Sequence, residues 1–182
     1  MTADLYIALG SNLGDRSAHL AAARAAIGRW PMTTLVRTSR VFETSPVGPP
    51  GQGPYLNQAL LVRTKLRTSS LIRHVWLTQE ANGRPLLPPN EAEEWGPRTL
   101  DIDLLLYNDL IHHDPDLTLP HPRLHERPFV LAPLAELAPD LIHPVLNRTI
   151  IDLRDAAGND GILAIFPQDE PQQSLRADDH GG

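Results

Sequence analysis

Cysteine is absent from the 182-residue chain, which excludes both a disulfide framework and a zinc site built from thiolates. Aromatic side chains are scarce, at 5% of residues, so a site for a flat ring must depend on a few individual aromatic residues. Lysine occurs only at Lys65, so the positive charge of an anion-binding site must come mainly from arginine.

Long apolar runs and a basic N-terminal segment are also missing. No apolar run approaches the roughly 20 residues needed to cross a bilayer. The first residues, 1–4, carry no basic side chain and lead directly into an apolar segment, so we expect no signal peptide and a cytoplasmic protein. The net charge of −6, without a basic block, argues against nucleic-acid binding. We expect a monomer that acts on small molecules and contacts no membrane.

Proline is abundant, and its 18 residues divide the chain into ordered segments and loops. Because proline fixes φ and interrupts regular structure, the clusters at 46–54, 85–97, 115–144 and 167–171 predict long, partly stiffened loops. Loops of that length in a compact domain are usually functional or disordered. We therefore expect the long loops to form the active site.

A single domain at residues 1–166, followed by a disordered polar tail at 167–182, is the organisation that length and composition predict. Apolar periodicity predicts the order β-α-β-β-α-β with later additions, which is typical of the ferredoxin-like α+β fold, an antiparallel sheet with helices packed on one face. The predicted strands lie at 5–9, 33–43 and 58–64, and a last strand carries Asp101 and Asp103 and ends at Tyr107. The predicted helices lie at 16–28, 69–82 and 127–137. Shorter elements are expected at 110–112, 117–122, 150–153 and 162–166.

Individual capping and glycine residues predict where two helices start and where one turn lies. Asp15 is expected to cap the first helix, and Thr68 or Ser69 the second. The turn at 10–15 is rich in glycine, like a phosphate-binding loop, but it lacks both Gly-Lys-Ser/Thr and G-x-G-x-x-G. We interpret it as a tight strand-to-helix turn in which Gly10 and Gly14 permit positive φ.

Two acidic residues, Asp101 and Asp103, begin the last predicted strand of the sheet. Side chains alternate along a strand, so both carboxylates point the same way with Cα atoms roughly 6.5 Å apart. Two such charges raise each other's pKa unless a cation lies between them, and magnesium prefers oxygen ligands of this kind. The alternative is two solvated acids with Arg98 as a surface partner.

The remaining residues of that strand are apolar. Leu100, Ile102 and Leu104 are expected to point into the core. Leu105 and Tyr107 are expected to continue the face that carries the two aspartates.

Four blocks of residues resemble those of the 6-hydroxymethyl-7,8-dihydropterin pyrophosphokinases of folate biosynthesis, in the same order and at the same spacings. They are Ala8–Arg16, then Pro46–Pro49 with Tyr55–Asn57, then Trp95–Asp103, and last Leu117–Pro122 with Arg127, Phe129 and Val130. The resemblance implies a ferredoxin-like fold and the transfer of pyrophosphate from ATP to the hydroxymethyl group of a reduced pterin, with two magnesium ions. AMP is the second product.

The resemblance also implies roles for individual residues. Asp101 and Asp103 would hold both metal ions. Contacts to the triphosphate would come from Arg98, His121 and Arg127, with Arg84 and Trp95 on a loop that closes over the reactants. Other contacts to ATP would come from Gln79, Leu104 and Thr118. Contacts to the pterin would come from Tyr55 and Phe129 on its faces, Asn57 at its edge, and Thr44, Ser45 and Val47.

The chain departs from the family pattern on the second helix and in the loop that follows. Gln79 stands where a glutamate is usual, with Glu80 one position later, and Leu86 replaces a second arginine. Either the helix ends in a different register or Gln79 makes the contact on the adenosine side. Two other functions stay open: a module that binds nucleotide or pterin without chemistry, and a metal-dependent phosphatase.

Overall fold

The structure, a computed structural model, describes residues 2–84 and 96–167. Its strands are β1 (Ala3–Ser11), β2 (Thr33–Thr38), β3 (Val41–Thr44), β4 (Tyr55–Thr64), β5 (Asp101–Tyr107), β6 (His112–His113), β7 (Thr118–Leu119) and β8 (Ile162–Phe166). Its α-helices are α1 (Arg16–Ile27), α2 (Thr68–Ala81), α3 (Pro128–Leu137) and α4 (Ile150–Ala157), and a short 3-10 helix covers Leu124–Glu126.

The main sheet is antiparallel and has six strands. Its order is β5-β1-β4-β3-β8. Strand β2 also pairs with β4, at residues 60–64, whereas β3 pairs with residues 55–57 of that strand. Apolar residues of α1 and α2 form one core on one face of this sheet, and those of α3 and α4 form a second core on the other face. The α+β prediction is therefore confirmed. The helices of the predicted β-α-β-β-α-β pattern, α1 and α2, lie on one face as expected, and the later helices α3 and α4 lie on the other face.

Helix starts differ in how well the sequence predicted them. Asp15 caps α1 as predicted, because its Oδ1 accepts a hydrogen bond of 2.9 Å from the Ala18 N–H. The prediction for α2 is wrong, because the helix begins at Thr68 and Arg67 occupies the capping position without a side-chain hydrogen bond. Pro128 occupies the first turn of α3, where its missing N–H costs nothing.

The predicted strand at 33–43 is two strands, interrupted at Ser39. Its N–H donates to the Ala59 carbonyl at 2.9 Å, and its Oγ accepts from the Ala59 N–H at 2.9 Å. The Ala59 N–H thus bonds to the Ser39 side chain, whereas in a regular sheet it would bond to a backbone carbonyl of the neighbouring strand. This irregularity separates β2 from β3. Gly10 also departs from prediction, because it lies within β1, whereas Gly14 has the expected positive φ of 68°.

A bulge in β5 changes which residues share the face of the aspartates. Ile7 pairs with Leu104 and Tyr6 with Leu106, so Leu105 is an extra residue. Leu105 lies on the aspartate face as predicted. The prediction for Tyr107 is wrong, because the bulge turns it to the α1–α2 core, where its hydroxyl donates to the Leu66 carbonyl at 2.9 Å.

Shorter elements complete the chain. The return strand predicted at 110–112 is β6, which overlaps it only at His112 and pairs with β7. The segment 150–153 is the start of α4 rather than a separate closing element. Within residues 2–84 and 96–167, no helix is long and apolar enough to cross a membrane. The predicted tail from 168 onward lies outside the described residues, and the single-domain organisation stays a prediction.

Candidate active site

Three neighbouring strands bring the start of β5 against the end of β1 and the start of β4. Gly10 pairs with Asp101 on one side and with Asn57 on the other. A Cβ atom added at Gly10 would lie 3.3 Å from Asn57 Oδ1 and 3.6 Å from the Tyr55 ring. Glycine therefore allows these side chains to lie close over the strand, where a first cavity opens, and a second cavity adjoins it at Asp101.

The first cavity has a volume of about 250 Å³ and a mixed apolar and polar wall. Each residue predicted to contact a pterin lines it: Thr44, Ser45, Val47, Tyr55, Asn57 and Phe129. The buried Asn57 amide donates through Nδ2 to Thr44 Oγ1 at 2.7 Å, which fixes its orientation. Arg127 lies over the Phe129 ring, 5.7 Å from its centroid. This cavity offers two aromatic rings and one fixed amide to a flat, polar-edged ligand.

The second cavity, of about 360 Å³, is more polar and lies between α2, β5 and the β6–β7 hairpin. The predicted residues Gln79, Arg84, Leu104 and Thr118 line it. Its wall also includes residues that the sequence did not single out, among them Ile72, Val75 and Trp76 of α2. Trp95, the other residue predicted on the ATP side, lies outside the described part of the chain.

The two cavities meet at a wall formed by Arg98, Asp101, Asp103 and His121. Asp101 Oδ1 accepts from Arg84 and, at 2.9 Å, from Arg98 Nη1. On Asp103, Oδ2 accepts from Arg127 Nη1 at 3.2 Å. A group that bridges the cavities therefore passes directly over two carboxylates and among three arginines.

Asp103 is held in an environment that favours its protonated form. Burial and, secondly, the negative charge of Asp101 together raise the pKa of the Asp103 carboxyl to about 7. The positive charges of Arg127, Arg98 and Arg84 oppose this rise without cancelling it. A carboxyl so placed ionises more readily when a cation is added between it and Asp101.

His121 is neutral at physiological pH, because burial, and secondly the charge of Arg127, lower its pKa to about 4. Its Nδ1 accepts a hydrogen bond of 3.2 Å from the Arg123 N–H, which places the proton on Nε2. Nε2 lies 3.8 Å from Asp103 Oδ2. His121 therefore presents an N–H donor to the junction of the cavities, suited to a phosphate oxygen.

The carboxylate pair could hold magnesium only with help from other ligands. Among residues 2–84 and 96–167, no group of three or more His, Asp or Glu side chains is placed to bind a metal ion. However, neither Asp101 Oδ2 nor Asp103 Oδ1 accepts a hydrogen bond from the described residues. Magnesium commonly takes one or two protein carboxylates and completes its shell with substrate phosphates and water. The residues present fit that pattern.

Two buried amides that hold the site together were not recognised as such from the sequence. Asn12 exchanges hydrogen bonds with the backbone of Arg98, and its Nδ2 donates to Gln52 Oε1 at 3.1 Å. Gln79 Oε1 accepts from the Ile102 N–H at 2.9 Å and from Arg84 Nη1 at 2.5 Å. No sequence signal identifies these contacts, because each amide bonds to segments that are distant or irregular.

Comparison with known proteins agrees with this geometry. A family model described as 7,8-dihydro-6-hydroxymethylpterin-pyrophosphokinase (HPPK) matches residues 6–139. The chain belongs to the HPPK family. The resemblance stated from the sequence is confirmed.

Relatives within the HPPK family are similar over most of their length. A Bacillus subtilis 2-amino-4-hydroxy-6-hydroxymethyldihydropteridine pyrophosphokinase is 42% identical over 132 residues, 72% of this chain and 76% of that protein. The Haemophilus influenzae protein of the same name is 40% identical over 146 residues, 80% of this chain and 87% of that protein. A crystal structure of Plasmodium falciparum HPPK-DHPS shares the fold, with a TM-score of 0.65 at 15% identity, over 86% of this chain and 45% of that one.

Proposed function

We propose that this protein transfers the pyrophosphoryl group of ATP to 6-hydroxymethyl-7,8-dihydropterin, giving AMP and the pterin diphosphate for folate biosynthesis. The observation that carries the proposal is the junction of the two cavities at Arg98, Asp101, Asp103 and His121. A group transfer between two ligands requires them to meet where the transferred charge can be stabilised. Membership of the HPPK family supports the same reaction.

The first cavity is proposed to bind the pterin. Tyr55 and Phe129 would contact the ring faces, where aromatic side chains contribute large contact areas. Asn57 would read the polar edge, and its bond to Thr44 Oγ1 fixes which amide atom faces the ligand. Ser45 and Val47 would contact the pterin through the backbone between β3 and β4.

The second cavity is proposed to bind ATP. Leu104 and Thr118 would contact the nucleoside, and Gln79 lies in the same wall. Arginine is suited to phosphate because its planar guanidinium donates two parallel hydrogen bonds. Arg84, Arg98 and Arg127, together with the Nε2–H of His121, would hold the triphosphate with its β-phosphorus at the junction. Trp95 stays a proposed ATP contact on the strength of the family pattern alone.

Asp101 and Asp103 are the residues proposed to hold two magnesium ions. Bound there, magnesium would neutralise phosphate charge and make the pterin hydroxyl a better nucleophile. The chain itself contributes position and electrostatics: Arg98 and Arg127 fix the carboxylates, and β5 keeps both on one face. Positioning of this kind provides most of the catalysis in phosphoryl transfer.

The proposed reaction requires no residue to act as a general base. The hydroxymethyl oxygen forms a bond to the β-phosphorus of ATP. The bond between that phosphorus and the oxygen that joins it to the α-phosphate breaks, and AMP leaves with the electron pair. The hydroxyl proton passes to solvent.

AMP formation with and without the pterin tests this function. We expect AMP only when ATP, magnesium and the pterin are all present, and its loss in Asp101→Asn and Asp103→Asn. Asp109→Asn, an exposed acid just after β5, is the matched control and should keep full activity. Tight ATP binding without AMP would indicate a binding module, and phosphate release without pterin would indicate a phosphatase. Either result would contradict the proposal.

Location and assembly follow the same proposal. ATP as the donor suits a cytoplasmic enzyme, and the proposed site is built from a single chain, as a monomer requires. Light scattering of the purified protein tests the monomer directly.

A further inference from the structure

Arg84 lies beside Asp101, one of the two carboxylates proposed to hold magnesium. Its Nη1 contacts Asp101 Oδ1, the oxygen that also accepts from Arg98. Neither side chain of this ion pair is fully exposed, at 24% for Arg84 and 28% for Asp101. The guanidinium of Arg84 therefore balances the charge of Asp101.

Gln79 holds Arg84 in that position. It is buried in the last turn of α2, and its Oε1 accepts from Arg84 Nη1 at 2.5 Å. The Arg84 N–H also donates to the Gln79 carbonyl at 3.0 Å. The same Oε1 accepts from the Ile102 N–H, on the outer edge of β5 between the two aspartates. One amide oxygen thus joins α2, the strand that carries the carboxylates and the arginine that pairs with Asp101.

We propose that Gln79 is a positioning residue that retains Arg84 on Asp101, so that the positive charge of Arg84 competes with a metal ion for this carboxylate. This inference rests on the proposed function, because it assigns the ion to Asp101 and Asp103. It adds a competition between a side-chain cation and the metal for one carboxylate. Displacement also frees Arg84 to contact the phosphates of ATP.

The proposal has a measurable consequence for the metal alone. If the metal ion binds more tightly to the state in which Arg84 has left Asp101, its apparent affinity increases with the fraction of protein in that state. Removing the Gln79 acceptor destabilises the paired state and increases that fraction. A hydrogen bond to a charged group of this kind corresponds to a change of about tenfold in affinity.

The experiment measures Mn²⁺ binding by electron paramagnetic resonance in the absence of nucleotide and pterin. The main variant is Gln79→Met, which keeps the length and volume of the side chain and leaves the net charge unchanged. Gln79→Leu is the second variant, used if thermal unfolding shows that Gln79→Met does not fold. Asn82→Ala is the matched control, because Asn82 ends the same helix but bonds to the Thr78 carbonyl rather than to Arg84.

We expect Gln79→Met to bind Mn²⁺ about tenfold more tightly than the wild type, and Asn82→Ala to bind it with unchanged affinity. Arg84→Met should also bind Mn²⁺ more tightly, and adding Gln79→Met to it should produce no further gain, because Gln79 acts through Arg84. A folded Gln79→Met or Gln79→Leu with unchanged or weaker affinity would overturn the proposal. So would a gain that persists in the Arg84→Met background, or the absence of Mn²⁺ binding in every variant. Because no substrate is present, these results are independent of whether AMP is formed.

Discussion

Asn12 and Arg98, which lie 86 residues apart in the sequence, are joined by a reciprocal pair of hydrogen bonds. The Asn12 N–H donates to the Arg98 carbonyl at 3.0 Å, and the Arg98 N–H donates to Asn12 Oδ1 at 2.7 Å. The Asn12 amide also donates to Gln52 and to the Gly53 carbonyl. One side chain therefore ties the loop before β4, next to the first cavity, to the arginine shared by both cavities.

Replacing Asn12 should impair catalysis through Arg98. Asn12→Ala removes the acceptor of the Arg98 N–H and the donor to the loop, and small displacements of a catalytic group are costly. We expect kcat/KM to fall by about tenfold or more, with a loss of about 1–2 kcal/mol in the free energy of unfolding. Steady-state AMP formation and urea unfolding measure the two effects. The exposed Asn159→Ala is the control, and equal activity of both variants would contradict this role.

Phe129, an aromatic residue in the wall of the first cavity, should affect the binding of the pterin but not that of ATP. Phe129→Ala removes the ring that lines this cavity and stacks with Arg127. We expect the Kd of the pterin to rise by about tenfold or more, and the KM of ATP to change by less than about threefold, because truncating a buried aromatic contact typically costs over 1 kcal/mol. Calorimetry with the pterin checks this. Phe166→Ala, at the outer strand, removes a ring outside both cavities and should leave pterin binding intact. A matched loss of affinity for both substrates in Phe129→Ala would indicate general disruption instead.

The carboxyl of Asp103 should make stability depend on pH in an unusual direction. Its pKa is raised from 3.8 to about 7 by burial and by Asp101, so the native state binds the proton more tightly than the unfolded state. Its stabilising effect is present below pH 4 and is lost as the pH rises to about 7. In metal-free protein, the free energy of unfolding of the wild type relative to Asp103→Asn should therefore decrease across that range. A difference that is flat or increases with pH would contradict the raised pKa.

His121 should show the opposite dependence. Burial and Arg127 lower its pKa from 6.5 to about 4, so the unfolded state binds the proton more tightly. The contribution of His121 is complete above pH 6.5 and is lost as the pH falls to about 4. We expect the free energy of unfolding of the wild type relative to His121→Gln to rise between pH 4 and 6.5. Urea unfolding at several pH values, with NMR titration of the imidazole, measures it, and a titration of His121 near pH 6.5 would contradict the structure.

The sequence predicted the parts of the molecule that depend on local periodicity. The alternation around Asp101 and Asp103 placed both carboxylates on one face, and Asp15 and Pro128 marked helix starts. Tyr107 was misplaced, because Leu105 is an extra residue in β5 that reverses the alternation after it, and a bulge depends on the partner strand. The split at Ser39 was missed because it depends on Ala59, a residue on another strand.

Within the candidate site, motif spacing found the charged and aromatic residues but missed most of the connections between them. Many of the residues that line the cavities come from the four blocks that resemble the HPPK family. The bonds from Asn12 to Arg98 and from Gln79 to Arg84 and Ile102 depend on how separate segments pack, which composition and periodicity do not encode. Gln79 was singled out only because it replaces a glutamate, and its contacts required the structure.

The proposed reaction requires the two cavities to bind a pterin and ATP on either side of Asp101 and Asp103. The most direct test is AMP production by the purified protein, with ATP and magnesium, in the presence and absence of 6-hydroxymethyl-7,8-dihydropterin. We expect one AMP for each pterin diphosphate formed, and no AMP when the pterin or the magnesium is omitted. AMP or phosphate formed at an equal rate without the pterin, or full turnover in Asp101→Asn or Asp103→Asn, would contradict it.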